Sequence, residues 1–82
     1  MESNNGLTPL AEAKLTEPHS VCELHGEEET QQRLAELGFV RGACVTVVQR
    51  VGGGAKVRVN GFHLALNRDL LNMIIVRPLV LE

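Results

Sequence analysis

Gln32-Arg33-Leu34-Ala35-Glu36-Leu37-Gly38-Phe39-Val40-Arg41-Gly42 reads as the end of a helix, a stop, a tight turn and the entry to a strand. Leu34 and Leu37 lie three apart and share one helix face. Gly38 falls just past the last helical residue, where left-handed backbone ends a helix and a β-carbon is costly. Phe39 takes the next position, which in a Schellman stop packs back on the last turn and so meets Leu34. Gly42 supplies the positive φ that a type II turn across Val40, Arg41, Gly42 and Ala43 needs. The two glycines thus hinge a helix onto a sheet.

The flanking sequence supplies both partners of that hinge. Glu27-Glu28-Glu29 place acids at the positive end of the helix dipole and Arg33 lies near its negative end, so the helix is expected from Glu28 to Leu37. Downstream, Val45 and Val47 face one way and Thr46 and Arg50 the other. Gly52-Gly53-Gly54 turns the chain. Lys56-Val57-Arg58-Val59-Asn60 alternates polar with valine. Asn60-Gly61 is a strong hairpin signal, and Phe62, Leu64 and Leu66 then alternate inward on the return strand. Asn67 is placed to cap a short helical turn from Arg68, with Asp69 in its favoured acidic position. Met73-Ile74-Ile75-Val76-Arg77 reads as a closing strand limited by Pro78.

Upstream, residues 1–9 read as a mobile polar tail, with Thr8 and Pro9 able to start one helical turn over Leu10 to Lys14. Ser20 to His25 reads as a short strand in which Val21 and Leu24 are out of phase, so a bulge or a curved barrel edge is expected. The fold class that follows is mainly β with an inserted α-helix. Roughly five strands form a small, partly open barrel, with the helix after the first strand and a helical turn before the last. The domain spans residues 10–78, and 79–82 form a tail whose Leu79-Val80-Leu81 could pair with a second copy or fold back on the barrel.

Composition narrows the function. The 82 residues make one small domain with a modest core. Phe39 and Phe62 are the only aromatics of the Phe, Tyr and Trp class, too few for a base-stacking platform or an aromatic peptide groove. The net charge of −2 is unevenly spread. Residues 1–36 hold eight of the ten acids, while the remainder holds six cations against Asp69 and Glu82. That mildly basic half is either a solvated surface or a face for an acidic partner; nucleic acid is not expected. Cys22 and Cys44 do not make a disulfide framework. No signal pattern opens the sequence and no apolar run is long enough to cross a bilayer. A cytoplasmic location with reduced thiols and no membrane insertion is expected.

The sequence holds no credible catalytic triad, and the glycine triplet lacks the frame of a phosphate loop. Non-enzymatic chemistry is therefore expected. His19, Cys22 and His25 lie close in sequence beside Glu23 and Glu27, and these are the usual donors for zinc or ferrous iron. Their spacing matches no closed structural zinc pattern, and strand alternation would point Cys22 away from His19 and His25. The competing reading is two exposed histidines and a half-buried thiol. No cofactor is required on either reading, which leaves room for weak Fe2+ or Zn2+ binding. Cys44 and Met73 read as packing and His63 as exposed.

Arg33-Leu34-Ala35-Glu36-Leu37-Gly38-Phe39-Val40-Arg41-Gly42 followed by Val45-Thr46-Val47 resembles the FeoA family, the small ferrous iron transport proteins A, with their R-L-x-E-L-G-[FL]-x-P-G signature. Val57 to Gly61, Leu64 to Arg68 and Ile74 to Val76 match in the same order, so the likeness covers residues 10–78. Arg41 stands where the family usually has proline, and the acidic run at Glu27 to Glu29 is a second departure. The resemblance implies an SH3-like barrel and a role as accessory to FeoB, a membrane transporter with a cytoplasmic GTP-binding region. On the reading as a module that binds this partner, the contact surface is expected at Leu37, Phe39, Val40 and Arg41, helped by outward Arg50 and Arg58. Two other readings stand beside it. One is a metal-binding or metal-sensing module built on His19, Cys22 and His25, like the last domain of iron-dependent repressors. The other is a GTPase-activating protein with Arg41 or Arg50 as the finger.

Overall fold

The structure, a computed structural model, describes residues 6–79. Strand β1 (Thr8–Pro9) leads into a 3-10 turn (Leu10–Glu12), followed by β2 (Pro18–Leu24), helix α1 (Glu28–Glu36), β3 (Cys44–Val51), β4 (Gly54–Val59), β5 (Phe62–Asn67), helix α2 (Arg68–Met73) and β6 (Ile74–Pro78). The strands form one antiparallel sheet in the order β1-β6-β2-β3-β4-β5. Each hydrophobic pattern finds its place in that sheet. Val45, Val47, Val57, Val59 and Leu66 from the meander close on Val21, Ile74, Val76, Leu34 and Phe39.

The mainly β architecture with its inserted helix follows the sequence expectation, with one added element. Thr8 and Pro9 pair with Val76 and Ile75 to make a sixth strand. Their two residues carry no alternation that a sequence could show, and Pro9 tolerates the position because β1 is an edge. Leu10 and Ala13, just beyond, are buried. The proposed tail therefore loses its last two residues to the sheet. Residues 1–5 and 80–82 lie outside the described residues, so the Val80 and Leu81 part of the C-terminal tail is not placed.

The hairpin signals hold. Asn60 and Gly61 both take positive φ, as a type I′ turn requires, between paired Val59 and Phe62. The Asn67 side chain accepts the Leu70 N–H at 2.9 Å and caps α2.

Two register shifts rearrange the faces. In β2 the shift falls between Val21 and Glu23, so Cys22 is the bulged residue. In β3 it falls between Val47 and Gln49, at Val48. A one-residue bulge reverses the alternation beyond it. Arg50 consequently faces the side of Ala55, its direct partner, and not the outward side expected from Thr46. Thr46 is itself buried, beside Pro18 and Arg58. Phe62 departs in another way. Cross-strand pairing puts it in one row with His19, Val45 and Val59, on the inner face as expected, yet it is 66% exposed. It stands at the start of the edge strand β5, past the end of the packed core.

Candidate functional site

The exposed shoulder of the molecule is the joint between α1 and β3. Its shape comes from two successive backbone stops. The Phe39 N–H donates to the Leu34 carbonyl at 3.0 Å, and the Gly38 N–H to the Ala35 carbonyl at 3.0 Å. This is the paired hydrogen bonding of a Schellman motif. Gly38 has φ of 114°, and a β-carbon there would run into the Asn60 amide at the tip of the β4–β5 hairpin. The Ala43 N–H then reaches the Val40 carbonyl at 2.9 Å, closing the turn whose third residue, Gly42, has φ of 91°. The Gly42 N–H bonds the Val21 carbonyl at 2.8 Å and the Val21 N–H bonds the Ala43 carbonyl at 2.9 Å, which ties the turn to β2.

On this rigid support Leu37 (43% exposed) and Val40 (49% exposed) present apolar side chains beside exposed Arg41. Phe39 does not join them. It is completely buried, so it belongs to the core and is withdrawn from the expected contact surface. Leu34 and Phe39 belong to the same buried core cluster, joined by the Phe39 N–H to Leu34 carbonyl bond of the stop.

Arg50 is also committed elsewhere. Its Nη1 donates to the Ala11 carbonyl at 2.8 Å and its Nη2 to the Ala13 carbonyl at 2.6 Å. It clamps the Leu10–Glu12 turn against β3, so its guanidinium is engaged within the chain although the residue is exposed. The signal for this was the Val48 bulge, which no alternation in Val45-Thr46-Val47-Val48-Gln49-Arg50 announces. Arg58 does project outward, between Thr46 and His63 on neighbouring strands.

The three proposed metal donors diverge. His19 is 2% exposed, and its Nδ1–H donates to the Glu17 carbonyl at 2.9 Å. It lies on the inner row opposite Val45, a packed imidazole and not an exposed one. Cys22 sits on the bulge, its thiol toward the Ser20 carbonyl at 3.6 Å. His25, at the strand's far end, has its Nε2 on Glu23 Oε1 at 2.8 Å. Among the described residues no group of three or more His, Cys, Asp and Glu side chains is placed to hold a metal ion. The three donors therefore do not fit one metal centre. No helix among the described residues is long and apolar enough to cross a membrane.

A partly open antiparallel barrel with one helix between β2 and its meander defines the class: a small SH3-like domain. Within that class the chain belongs to the FeoA family, whose domain model matches residues 8–78. The FeoA protein of Chlorobium tepidum, solved in solution, is 31% identical with a TM-score of 0.81 over 89% of this chain and 71% of that one. The FeoA of Stenotrophomonas maltophilia, crystallised with zinc and described as a procaryotic SH3 domain protein, is 30% identical over 82% of this chain and 86% of that one, with a TM-score of 0.65. A manganese-dependent transcriptional repressor shares the fold at 15% identity and a TM-score of 0.82, this chain covering 44% of it. No curated protein matches the sequence. Family membership places the chain among the small accessory proteins of ferrous iron transport.

Proposed function

We propose that this protein acts in the cytoplasm as a non-catalytic accessory of ferrous iron uptake, binding and modulating an FeoB-type transporter through its cytoplasmic GTP-binding region. The carrying observation is the shoulder at Leu37, Val40 and Arg41, where two apolar side chains and a cation stand on backbone fixed by hydrogen bonds. Such a surface needs no reordering on association, which keeps the entropic cost of binding low. Family membership supplies the partner class. Arg58 extends the basic side of the surface, whereas Arg50 contributes only by holding the N-terminal segment in place.

The test is a titration of isotopically labelled protein with the soluble cytoplasmic region of FeoB. Amide shifts centred on Leu37, Val40 and Arg41 are expected. Spectra unchanged at a saturating concentration of that region would remove the proposal. The reading as a supplier of an arginine finger loses Arg50, whose guanidinium is engaged internally. It is left with Arg41, and GTP turnover unaltered by saturating protein would remove it.

A further inference from the structure

We propose that the cleft between β2 and α1 takes an extended segment of a partner protein, laid along Cys22 to Leu24, in which an aliphatic side chain and a carboxylate point to the same side. This rests on the reading of the chain as a partner-binding protein and states what the partner must present.

Three independent features of the cleft converge on that chemistry. The first is an unpaired strand side. β2 pairs with β3 only as far as Ser20, and the Val21 bonds to Gly42 and Ala43 end that contact. Beyond the Cys22 bulge, Glu23 and Leu24 pair with β6 alone. The other side of this short segment has no strand against it, the condition under which a peptide adds to a sheet.

The second is an apolar floor. The cleft has a volume of about 480 Å³ and runs between Val21–Leu24 on one wall and Gln31 and Ala35 on the other, over Phe39, to Val40. Val21, Leu24, Ala35, Phe39 and Val40 give it the apolar surface on which an aliphatic side chain can rest.

The third is charge. The cleft opens at Arg41 into an adjoining hollow of about 360 Å³, which Ser20, Gly42 and Arg77 also line. Among the described residues neither Arg41 nor Arg77 has a hydrogen-bonded or ionic side-chain partner. Among the described residues Glu23 is the only carboxylate on the lining of either hollow, its Oε1 2.8 Å from the exposed His25 ring, so two cations face one anion there. Two guanidinium groups beside the Ser20 hydroxyl thus await an oxyanion, and Arg recognises a carboxylate with paired donors. Consecutive side chains of a strand alternate, so residues two apart face the floor and the arginines together.

The probe is acetyl-Val-Leu-Thr-Asp-Thr-amide, with the Asn-for-Asp peptide as its neutral control. Titrated into labelled protein, the acidic peptide is expected to move the amides of Ser20, Cys22, Glu23, Val40 and Arg41. It should bind about tenfold more tightly than the control, the difference that one charge-assisted contact makes. Arg77→Glu and Arg41→Glu should each remove that preference, while Arg68→Glu, on α2, should leave it. Both arginines in the cleft are exposed, and an unchanged amide spectrum verifies that the variants fold. The proposal is overturned if the two peptides bind alike or neither moves these amides. It is also overturned if the same resonances shift with protein concentration alone, because a second copy then fills the cleft. With the cytoplasmic region of FeoB the two readings separate. Binding that survives Arg77→Glu keeps the transporter reading and removes the cleft. No binding by the wild type removes the transporter reading, and the peptide result decides the cleft separately.

Discussion

The joint at Leu34 to Ala43 and the strand β2 are adjacent in space and similar in length, but their conformations have causes at different distances. In the joint each turn of the backbone is set by residues at most five positions away. Gly38 permits the stop, Phe39 returns its N–H to Leu34, and Gly42 permits the turn that Ala43 closes. In β2 the side to which each residue points is set by partners at the other end of the chain. Val21 faces Val76 and Glu23 faces Ile75, so Cys22 is left over as a bulge. The first region is a folding device that also carries an exposed rim. The second is a strand whose apparent ligand set is dispersed by a register that only the assembled sheet defines.

The sharpest way to break this contrast is to attack the joint where it enters the core. Phe39→Ala removes a fully buried aromatic from the core cluster it shares with Leu34 and should cost about 3–5 kcal/mol. For a domain of this size that is a large share of the whole stability. Urea unfolding is expected to show a midpoint near zero or no cooperative transition at all. A loss under about 1 kcal/mol would mean that the joint does not anchor the core.

Gly38→Ala tests the same joint through its backbone. The new β-carbon meets strain at φ of 114° and the Asn60 amide at once. A cost of about 2–4 kcal/mol is expected, part of it from each source. The double variant with Asn60→Gly separates the two, because Gly removes the amide while keeping the positive φ of the hairpin. Recovery of about 1 kcal/mol in the double-mutant cycle is the expected sign that helix stop and hairpin tip touch.

How much of this was legible in the sequence follows from the same distinction of range. The helix stop, the Val40–Ala43 turn, the Asn60-Gly61 hairpin and the Asn67 cap are local devices, and each is found where its residues predict. So is the valine alternation, because a regular strand needs no knowledge of its partner to show its period. Bulges are different. Cys22 was expected near an irregularity because Val21 and Leu24 fall out of phase, but Val48 sits in a run of apolar and polar residues that reads equally well without one. That single residue turns Arg50 from an outward charge into a clamp. Phe62 shows a second limit. Its face was legible, but its exposure depends on where the opposing layer ends. Among candidate contact residues, Leu37, Val40 and Arg41 keep their exposure because they project from a local turn. Phe39 loses it because the same turn drives it inward.

Arg50→Met asks whether the non-local clamp carries stability as the local joint does. The substitution keeps the aliphatic stem but leaves the Ala11 and Ala13 carbonyls without their donors. A cost of about 1–2 kcal/mol is expected, moderated because part of the side chain is exposed to water. Amide exchange should accelerate in residues 8–13 before it does in the joint. Uniform acceleration across the sheet would instead mean that the N-terminal segment and the barrel open as one unit.

The smallest effect belongs to the far end of β2. His25 and Glu23 are both largely exposed, and the pair joins neighbours on one strand, so solvent screens most of its attraction. His25→Ala is expected to change stability by less than about 0.5 kcal/mol, within the error of a urea titration. The informative readout is the response to zinc. If the three donors are as dispersed as the bulge makes them, zinc perturbs the exposed His25 ring and leaves buried His19 unmoved, in the wild type and in Cys22→Ser alike. If zinc instead moved His19, Cys22 and His25 together, and His25→Ala abolished all three shifts at once, the register between β2 and β6 would have to differ from the one described. The contrast between a locally fixed joint and a remotely fixed strand would then fail at the one place where the sequence offered a ligand set and the sheet took it apart.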